Sequence, residues 1–134
     1  MKEIELDHVE LMNQDDLPKG FQYPIELRKI MQLGLVNMGV WIMMDKDLAK
    51  VRMLEMKRRY NRDLVPFAQR IDGDDLACYE VGSECVHHIQ DYECPGAEEI
   101  TVFPNTWEWL RSAINDMIEY EEIECDCEKE NGQP

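Results

Sequence analysis

The segment that most constrains the fold is residues 64–82, LVPFAQRIDGDDLACYEVG, in which two apolar runs flank a group of turn-forming residues. The turn is Asp72-Gly73-Asp74-Asp75, and Gly73 supplies the positive φ that a tight connection needs. Because the flanking runs are rich in strand-forming residues, the segment predicts a β-hairpin. Pro66 cannot donate a hydrogen bond to a neighbouring strand, which predicts a position at the start of its strand or on a sheet edge.

Further strands and helices are predicted on both sides of this hairpin. Residues 84–90 and 100–103 have the composition of strands, and the continuous apolar run 35–44 predicts core, either helix or strand. Helices are predicted after Pro24, from Leu48 to about Tyr60, and after Asn105, which is expected to cap its helix and to form a capping box with Glu108. The sequence therefore predicts an α+β domain: a mostly antiparallel sheet of about four to six strands flanked by helices, with a C-terminal helix packed on the sheet.

Apolar residues recur at helical spacing in two of the predicted helices. Leu48, Val51 and Leu54 recur every three residues, which predicts an amphipathic helix. The C-terminal helix repeats apolar residues at steps of three and four, and these are Trp107, Leu110, Ala113, Ile114, Met117 and Ile118. That repeat predicts one apolar stripe lying on the sheet.

The length of 134 residues predicts a single domain. Residues 1–20 form an N-terminal arm that ends in a group of helix-breaking residues, and its first part fits either an edge strand or a helical turn. We expect the last helix to fray from Glu119 and residues 123–134 to form an acidic, flexible tail. An acidic N-terminus, the lack of an 18-residue apolar run and an odd number of cysteines, five, predict a cytoplasmic protein with free thiols.

The charge is large and unevenly distributed. The chain carries a net charge of -15; residues 1–71 contain 11 acids and 12 bases, whereas residues 72–134 contain 18 acids and two bases. Such a field repels nucleic acid and anionic membranes and speeds encounter with basic proteins, although acidic surfaces also serve solubility alone. The basic residues between Lys50 and Arg62 are expected to pair with the acidic half or to lie in solvent, rather than to bind nucleic acid.

Two groups of residues have side chains that metal sites use. Asp72, Asp74 and Asp75 are too closely spaced for a calcium loop of the helix-flanked type, and turn chemistry explains them without a metal. Strand alternation sends His87 and His88 to opposite faces, and no CxxC pair supports zinc binding. The motifs GxSxG, GxxxxGK[ST], GxGxxG and HExxH are absent from the sequence, so we predict no catalytic, metal or cofactor-binding residue and no enzyme activity.

Four features together resemble the SMI1/KNR4 superfamily, also called SUKH, over residues 21–122. They are Trp41, the Pro66-Phe67-Ala68 strand, the Asp74-Asp75 end of the turn with the strand that follows, and the helix containing Trp107, Trp109 and Leu110. The resemblance implies an α+β fold. It also implies a function, since many members are immunity proteins against toxins that are often nucleases, and others are protein-interaction modules.

Charge and resemblance lead to one functional hypothesis with two alternatives. The hypothesis is a non-enzymatic protein-binding module, an immunity protein that neutralises a basic, nuclease-type toxin. The predicted partner-binding residues are Asp72, Asp74, Asp75, Glu80, Asp91, Glu98 and Glu99. The alternatives are an intracellular scaffold or regulatory interaction domain, and a metal-dependent enzyme that uses the Asp72 to Asp75 cluster. Oligomeric state is not predicted.

Overall fold

The computed structural model describes the backbone of residues 9–131 and the side chains of residues 9–123. Within this range a 3-10 turn, Gln14–Asp16, precedes three helices: Ile25–Gln32 (α1), Lys46–Tyr60 (α2) and Thr106–Asn131 (α3). The strands are Asn37–Met38 (β1), Trp41–Met43 (β2), Leu64–Arg70 (β3), Asp75–Glu80 (β4), Val86–Gln90 (β5) and Glu99–Phe103 (β6). The predicted hairpin is thus confirmed as β3 and β4. The positive φ expected at Gly73 was wrong, since Gly73 is not among the positive-φ residues.

All six strands form one sheet in chain order, and each strand is antiparallel to the next. This meander with flanking helices confirms the predicted α+β class and the C-terminal helix packed on the sheet. The edge position predicted for Pro66 is confirmed on one side of β3, because β2 pairs only with the residues from Ala68 to Arg70 and leaves Pro66 without a β2 partner. The register shifts between Pro66 and Ala68, and such a bulge tolerates a residue without a backbone donor.

The apolar run 35–44, which the sequence left open between helix and strand, forms the short hairpin of β1 and β2. Gly39 makes its turn with φ of 74°, and its N–H donates to the side-chain oxygen of Asn37 at 2.9 Å. A Cβ at this position would approach the Glu121 carboxylate to 3.2 Å and the Met117 side chain to 3.4 Å. The turn therefore lies against α3, and glycine suits it for both conformation and space.

Aromatic rings attach α3 to the sheet. Trp109 of α3 is buried and meets Phe67 edge to face at 4.9 Å and Trp41 at 5.6 Å between ring centroids. Phe67 also stacks on Tyr79 at 4.6 Å. The Trp41 indole N–H donates to Asp116 at 3.0 Å, so this aromatic core also satisfies its polar atom.

The α2 helix turns a different face to the core from the one that apolar spacing suggested. Its buried residues are Ala49, Met53, Met56 and Tyr60, whereas Leu48, Val51 and Leu54 are exposed. In an α-helix, residues three apart differ by about 300° around the axis, which falls roughly 60° short of a full turn. Apolar residues at every third position therefore drift around the helix instead of staying on one face. The buried set recurs at four and three, which keeps it on one face.

The stripe predicted for α3 is also only partly correct. Ala113 is buried and Leu110 and Met117 pack against the core, but Trp107, Ile114 and Ile118 are exposed. Helix α3 continues to Asn131, and the expectation that it frays from Glu119 stays a prediction. Residues 1–8 of the predicted arm and 132–134 of the predicted tail lie outside the described residues.

The part of the arm that the structure describes is attached to the body. Met12 and Leu17 are buried, and the Met12 N–H donates to the Tyr23 hydroxyl at 3.3 Å. Residues 9–20 thus contribute to the core. None of the helices formed by the described residues combines the length and apolar content that crossing a membrane requires.

Candidate protein-docking surface

The seven carboxylates predicted to bind a partner lie in turns and at strand ends in the second half of the sheet. Asp72 and Asp74 lie in the turn between β3 and β4, Asp75 and Glu80 begin and end β4, Asp91 follows β5, Glu98 precedes β6 and Glu99 begins it. All except Asp74 have a cationic or histidine partner among the described side chains. Local neutralisation therefore decides which of them can attract another protein.

Arg62, in the loop between α2 and β3, joins three of these carboxylates. Its guanidinium lies 2.8 Å from Glu80, 2.9 Å from Glu98 and 2.8 Å from Glu99. His87 Nδ1 lies 2.9 Å from the same oxygen of Glu99 that Arg62 contacts. Hydrogen bonds, first of all to Glu80, raise the pKa of Arg62, so the cluster has a permanent cation at its centre.

Two members of this cluster, Glu98 and Glu99, have lowered pKa values although burial alone would raise them. Burial disfavours ionised Glu98, but hydrogen bonds from its own N–H, from Arg62 and from the Gly96 N–H outweigh burial and hold its pKa below the ordinary range. Burial likewise opposes ionisation of Glu99, and the bonds from Arg62 and His87 lower its pKa. Both groups are therefore charged at neutral pH and compensated from within the fold.

Asp91 is held by two arginines of α2. Its side chain has 0% exposure, and its two oxygens lie 2.7 Å from Arg52 and 2.6 Å from Arg59. The Tyr92 N–H donates to Asp91 at 2.8 Å, and the Arg59 guanidinium lies 4.5 Å from the centroid of the Tyr92 ring. The group binds α2 to the end of β5.

Burial corrects the predicted site at two positions. Asp91 is 2% exposed and Glu98 is 6% exposed, so neither carboxylate lies on an outward surface. The reason is that arginines of the basic segment form ion pairs with both carboxylates inside the fold. Of the two outcomes expected for this segment, these contacts show pairing with the acidic half for three of its arginines, whereas Lys50 and Lys57 contact acids of the first half.

The carboxylates of the β3–β4 turn are partly neutralised as well. Arg70 forms two hydrogen bonds of 2.9 Å with Asp72, and these bonds hold the pKa of Asp72 below its ordinary value. His88 Nε2 lies 2.7 Å from Asp75. Asp74 is exposed and takes part in no ion pair between described residues. Among the described side chains, no three histidine, cysteine, aspartate or glutamate residues are close enough to hold a metal ion.

Uncompensated carboxylates are concentrated in the second half of α3. Glu119, Glu121 and Glu122, which we call the α3 acidic segment, are exposed, and no ion pair between described residues involves them. The sequence from 119 to 130 contains seven acids and one lysine. Together these carboxylates create a negative potential that a nearby cation would relieve.

The same helix has apolar side chains in solvent. Trp107, Ile114 and Ile118, which we call the α3 outer stripe, are 41%, 37% and 47% exposed. Sequence reasoning placed them on the sheet because apolar spacing does not show which of two neighbouring stripes faces the core. Trp109 decides this, since its indole fits between Phe67 and Trp41.

A cavity of about 420 Å³ lies between the loop after the 3-10 turn, the β4–β5 turn and the start of α3. The Tyr79 hydroxyl at its wall lies 2.7 Å from the Thr106 hydroxyl, and burial, above all, raises the pKa of Tyr79. Ser83, which also lines the cavity, has its Oγ 3.5 Å from His87 Nε2. That distance exceeds the roughly 2.6–3.2 Å expected for a nucleophile and its base.

Two contacts further weaken a catalytic interpretation of this serine. The Ser83 hydroxyl oxygen accepts a hydrogen bond from the Cys85 N–H at 3.1 Å, as in a local turn motif. Glu99, which would orient His87, shares its oxygen with Arg62. The arrangement is explained as turn and ion-pair structure.

The fold and the surface together define a small α+β domain with an acidic, partly apolar helix at its C-terminal end. No protein-family model, no curated protein and no solved structure matches this chain. The SMI1/KNR4 resemblance therefore remains an interpretation of the residues quoted above.

Proposed function

We propose that this chain is a non-enzymatic protein-binding module that captures a basic protein, in the way an immunity protein neutralises a nuclease-type toxin. One observation carries the proposal: Glu119, Glu121 and Glu122 are exposed and lack ion pairs among the described side chains, while most other acids of the second half have them. A cationic partner is the ligand that such a surface attracts.

Electrostatic physics favours this use. Carboxylates on an exposed helix steer a basic protein into encounter and then compete for lysines and arginines that would otherwise contact phosphate. A net charge of -15 also disfavours binding to nucleic acid itself. The resemblance to SMI1/KNR4 proteins supplies the immunity role within this proposal, and the charge distribution supplies the chemistry.

The test is calorimetric titration of the full chain against a panel of purified basic nuclease-type toxin domains. At about 50 mM salt we expect binding and inhibition of nuclease activity by at least one domain, and at about 300 mM salt at least tenfold weaker binding. Failure of every domain to bind, or an affinity indifferent to salt, would contradict the proposal.

A matched pair of triple variants localises the effect. Changing Glu119, Glu121 and Glu122 to glutamine should weaken binding about tenfold or more. The control changes Asp15, Asp47 and Glu84 to their amides; these are exposed, have no described ion pair and carry the same total charge. The control should bind nearly as well as the unchanged protein.

Ser83→Ala tests the non-enzymatic part of the proposal. The hydroxyl is the one group at the large cavity that approaches a histidine, at 3.5 Å. We expect its removal to leave toxin neutralisation unchanged. Loss of neutralisation with retained binding would point to catalysis and overturn this part of the proposal.

A further inference from the structure

We infer that the α3 outer stripe and two residues of the α3 acidic segment, Glu121 and Glu122, form one docking surface for a basic amphipathic helix of the partner. The inference rests on the proposed function and assigns it a surface and a type of ligand. Two independent features of α3 support it: apolar side chains without a described partner and adjacent carboxylates without a described cation.

Helical geometry places the apolar residues in line. At about 100° per residue, Ile114 and Ile118 lie within roughly 20° of Trp107 around the axis. The buried Trp109 and Ala113 lie about 120–160° away, on the side that faces the sheet. The outer stripe is thus a separate, straight surface rather than an edge of the core.

The carboxylates flank the end of this surface. Glu121 lies about 40° to one side of the line through Trp107 and Glu122 about 60° to the other. From Trp107 to Glu122 the helix rises roughly 22 Å, which matches about four turns of a second helix. A ligand that covers this length meets apolar side chains first and carboxylates at one end.

A helix fits this surface better than an extended segment does. The backbone groups of α3 are used within the helix, so an extended chain lying on it would bury its own N–H and C=O groups without partners. A helix satisfies its backbone internally and offers apolar side chains every three or four residues. Lysines or arginines toward one end of the ligand would meet Glu121 and Glu122.

Charge disfavours a second copy of this chain as the occupant. Each copy carries a net charge of -15, and the end of its own α3 repeats the same acids. Like charge on both partners opposes association, whereas a basic ligand neutralises these carboxylates.

The experiment uses the full chain and two synthetic peptides of about 18 residues with identical composition, rich in leucine and lysine. In one peptide the leucines follow helical spacing and the lysines cluster at one end; in the other the order is scrambled so that no apolar stripe forms. We expect the amphipathic peptide to bind at least about tenfold more tightly and to gain helical circular dichroism on binding. Equal binding of both peptides would overturn the inference, because charge alone would then suffice.

Substitutions test the surface itself. Changing Trp107, Ile114 and Ile118 to serine should weaken binding of the amphipathic peptide, and of a toxin domain that binds, by about tenfold or more. The matched control changes Leu48, Val51 and Leu54 of α2 to serine; these are 40%, 51% and 52% exposed, so a similar apolar area is removed elsewhere. Urea denaturation verifies that both variants stay folded.

The outcomes separate this inference from the proposed function. If toxin domains bind with salt dependence but the α3 variant binds as tightly as its α2 control, the docking surface is wrong while the proposed function stands. If no basic protein binds at all, the proposed function fails. Sedimentation that shows a dimer of the unchanged chain, lost in the α3 variant, would identify a second copy as the occupant and overturn the inference.

Discussion

At the scale of single residues, Asp91 shows how an acid of the second half is neutralised by buried ion pairs. Its carboxylate is fully buried between Arg52 and Arg59. Asp91 supplies the hydrogen-bond acceptor that Arg52 lacks elsewhere among the described residues. Within that part of the chain the buried Arg52 Nε has no hydrogen-bond partner, and the nearby Glu55 Oε1, also without one, lies 3.8 Å away. Removing one partner of a buried pair leaves the other charges uncompensated, which destabilises more than the pair itself stabilises.

We expect Asp91→Ala to lower the free energy of unfolding by about 3 kcal/mol, because two arginines and the Tyr92 N–H lose their acceptor together. Asp74→Ala is the control, since Asp74 is exposed in the neighbouring turn and should change stability by less than about 0.5 kcal/mol. Urea denaturation of both variants measures this. Equal, small effects would mean that Asp91 contributes little to stability.

At the scale of elements, α3 depends on how it begins. The Asn105 side-chain oxygen accepts the Glu108 N–H at 2.9 Å, as the predicted cap requires. A full capping box would also have the Glu108 carboxylate accept the Asn105 N–H. Here the Glu108 carboxylate lies 3.4 Å from Arg111 instead. This cap precedes Trp109, so it also sets the position at which the helix meets the core.

Asn105→Ala should therefore destabilise the protein by about 1 kcal/mol through loss of the cap. Asn115→Ala provides the control within the same helix, because Asn115 is exposed and its side chain contacts only Glu119 among the described residues. Alanine favours helix there, and stability should stay equal or rise slightly. Thermal unfolding followed by circular dichroism distinguishes the two, and a larger loss in the Asn115 variant would contradict the capping argument.

At the scale of the whole molecule, internal ion pairs and the acidic surplus make stability depend on pH. The pKa values of Asp72, Glu98 and Glu99 are lower in the folded state than in model compounds. For such groups the unfolded chain binds protons first, so their stabilisation is full above the unfolded pKa and is lost as pH falls through the folded pKa. We expect the free energy of unfolding to fall between about pH 5 and pH 3.

Glu99→Gln isolates one of these contributions. The stability difference between this variant and the unchanged protein should be largest near pH 6 and shrink toward pH 3, where the carboxyl of Glu99 becomes neutral as well. Glu84→Gln is the control, because Glu84 is exposed and takes part in no described ion pair. Chemical denaturation at both pH values decides, and a difference for Glu99→Gln that stays constant with pH would refute the assignment.

Local patterns determined much of this protein. Turn residues around Gly73, a cap at Asn105 and apolar runs of strand length identified the central hairpin, the last helix and the α+β class, because each depends on neighbours in the chain. The uneven charge also predicted that the basic segment would pair with the acidic half or lie in solvent.

Tertiary structure decided which faces and which charges stay in solvent. Helical spacing alone is compatible with Trp107 and Ile114 facing the sheet. Packing of Trp109 against Phe67 and Trp41 fixes the orientation of α3 so that those two side chains are exposed. Likewise, only the approach of α2 to the end of β5 buried Asp91. Burial and ion pairing depend on residues distant in the chain, and so the docking surface follows from packing rather than from local pattern.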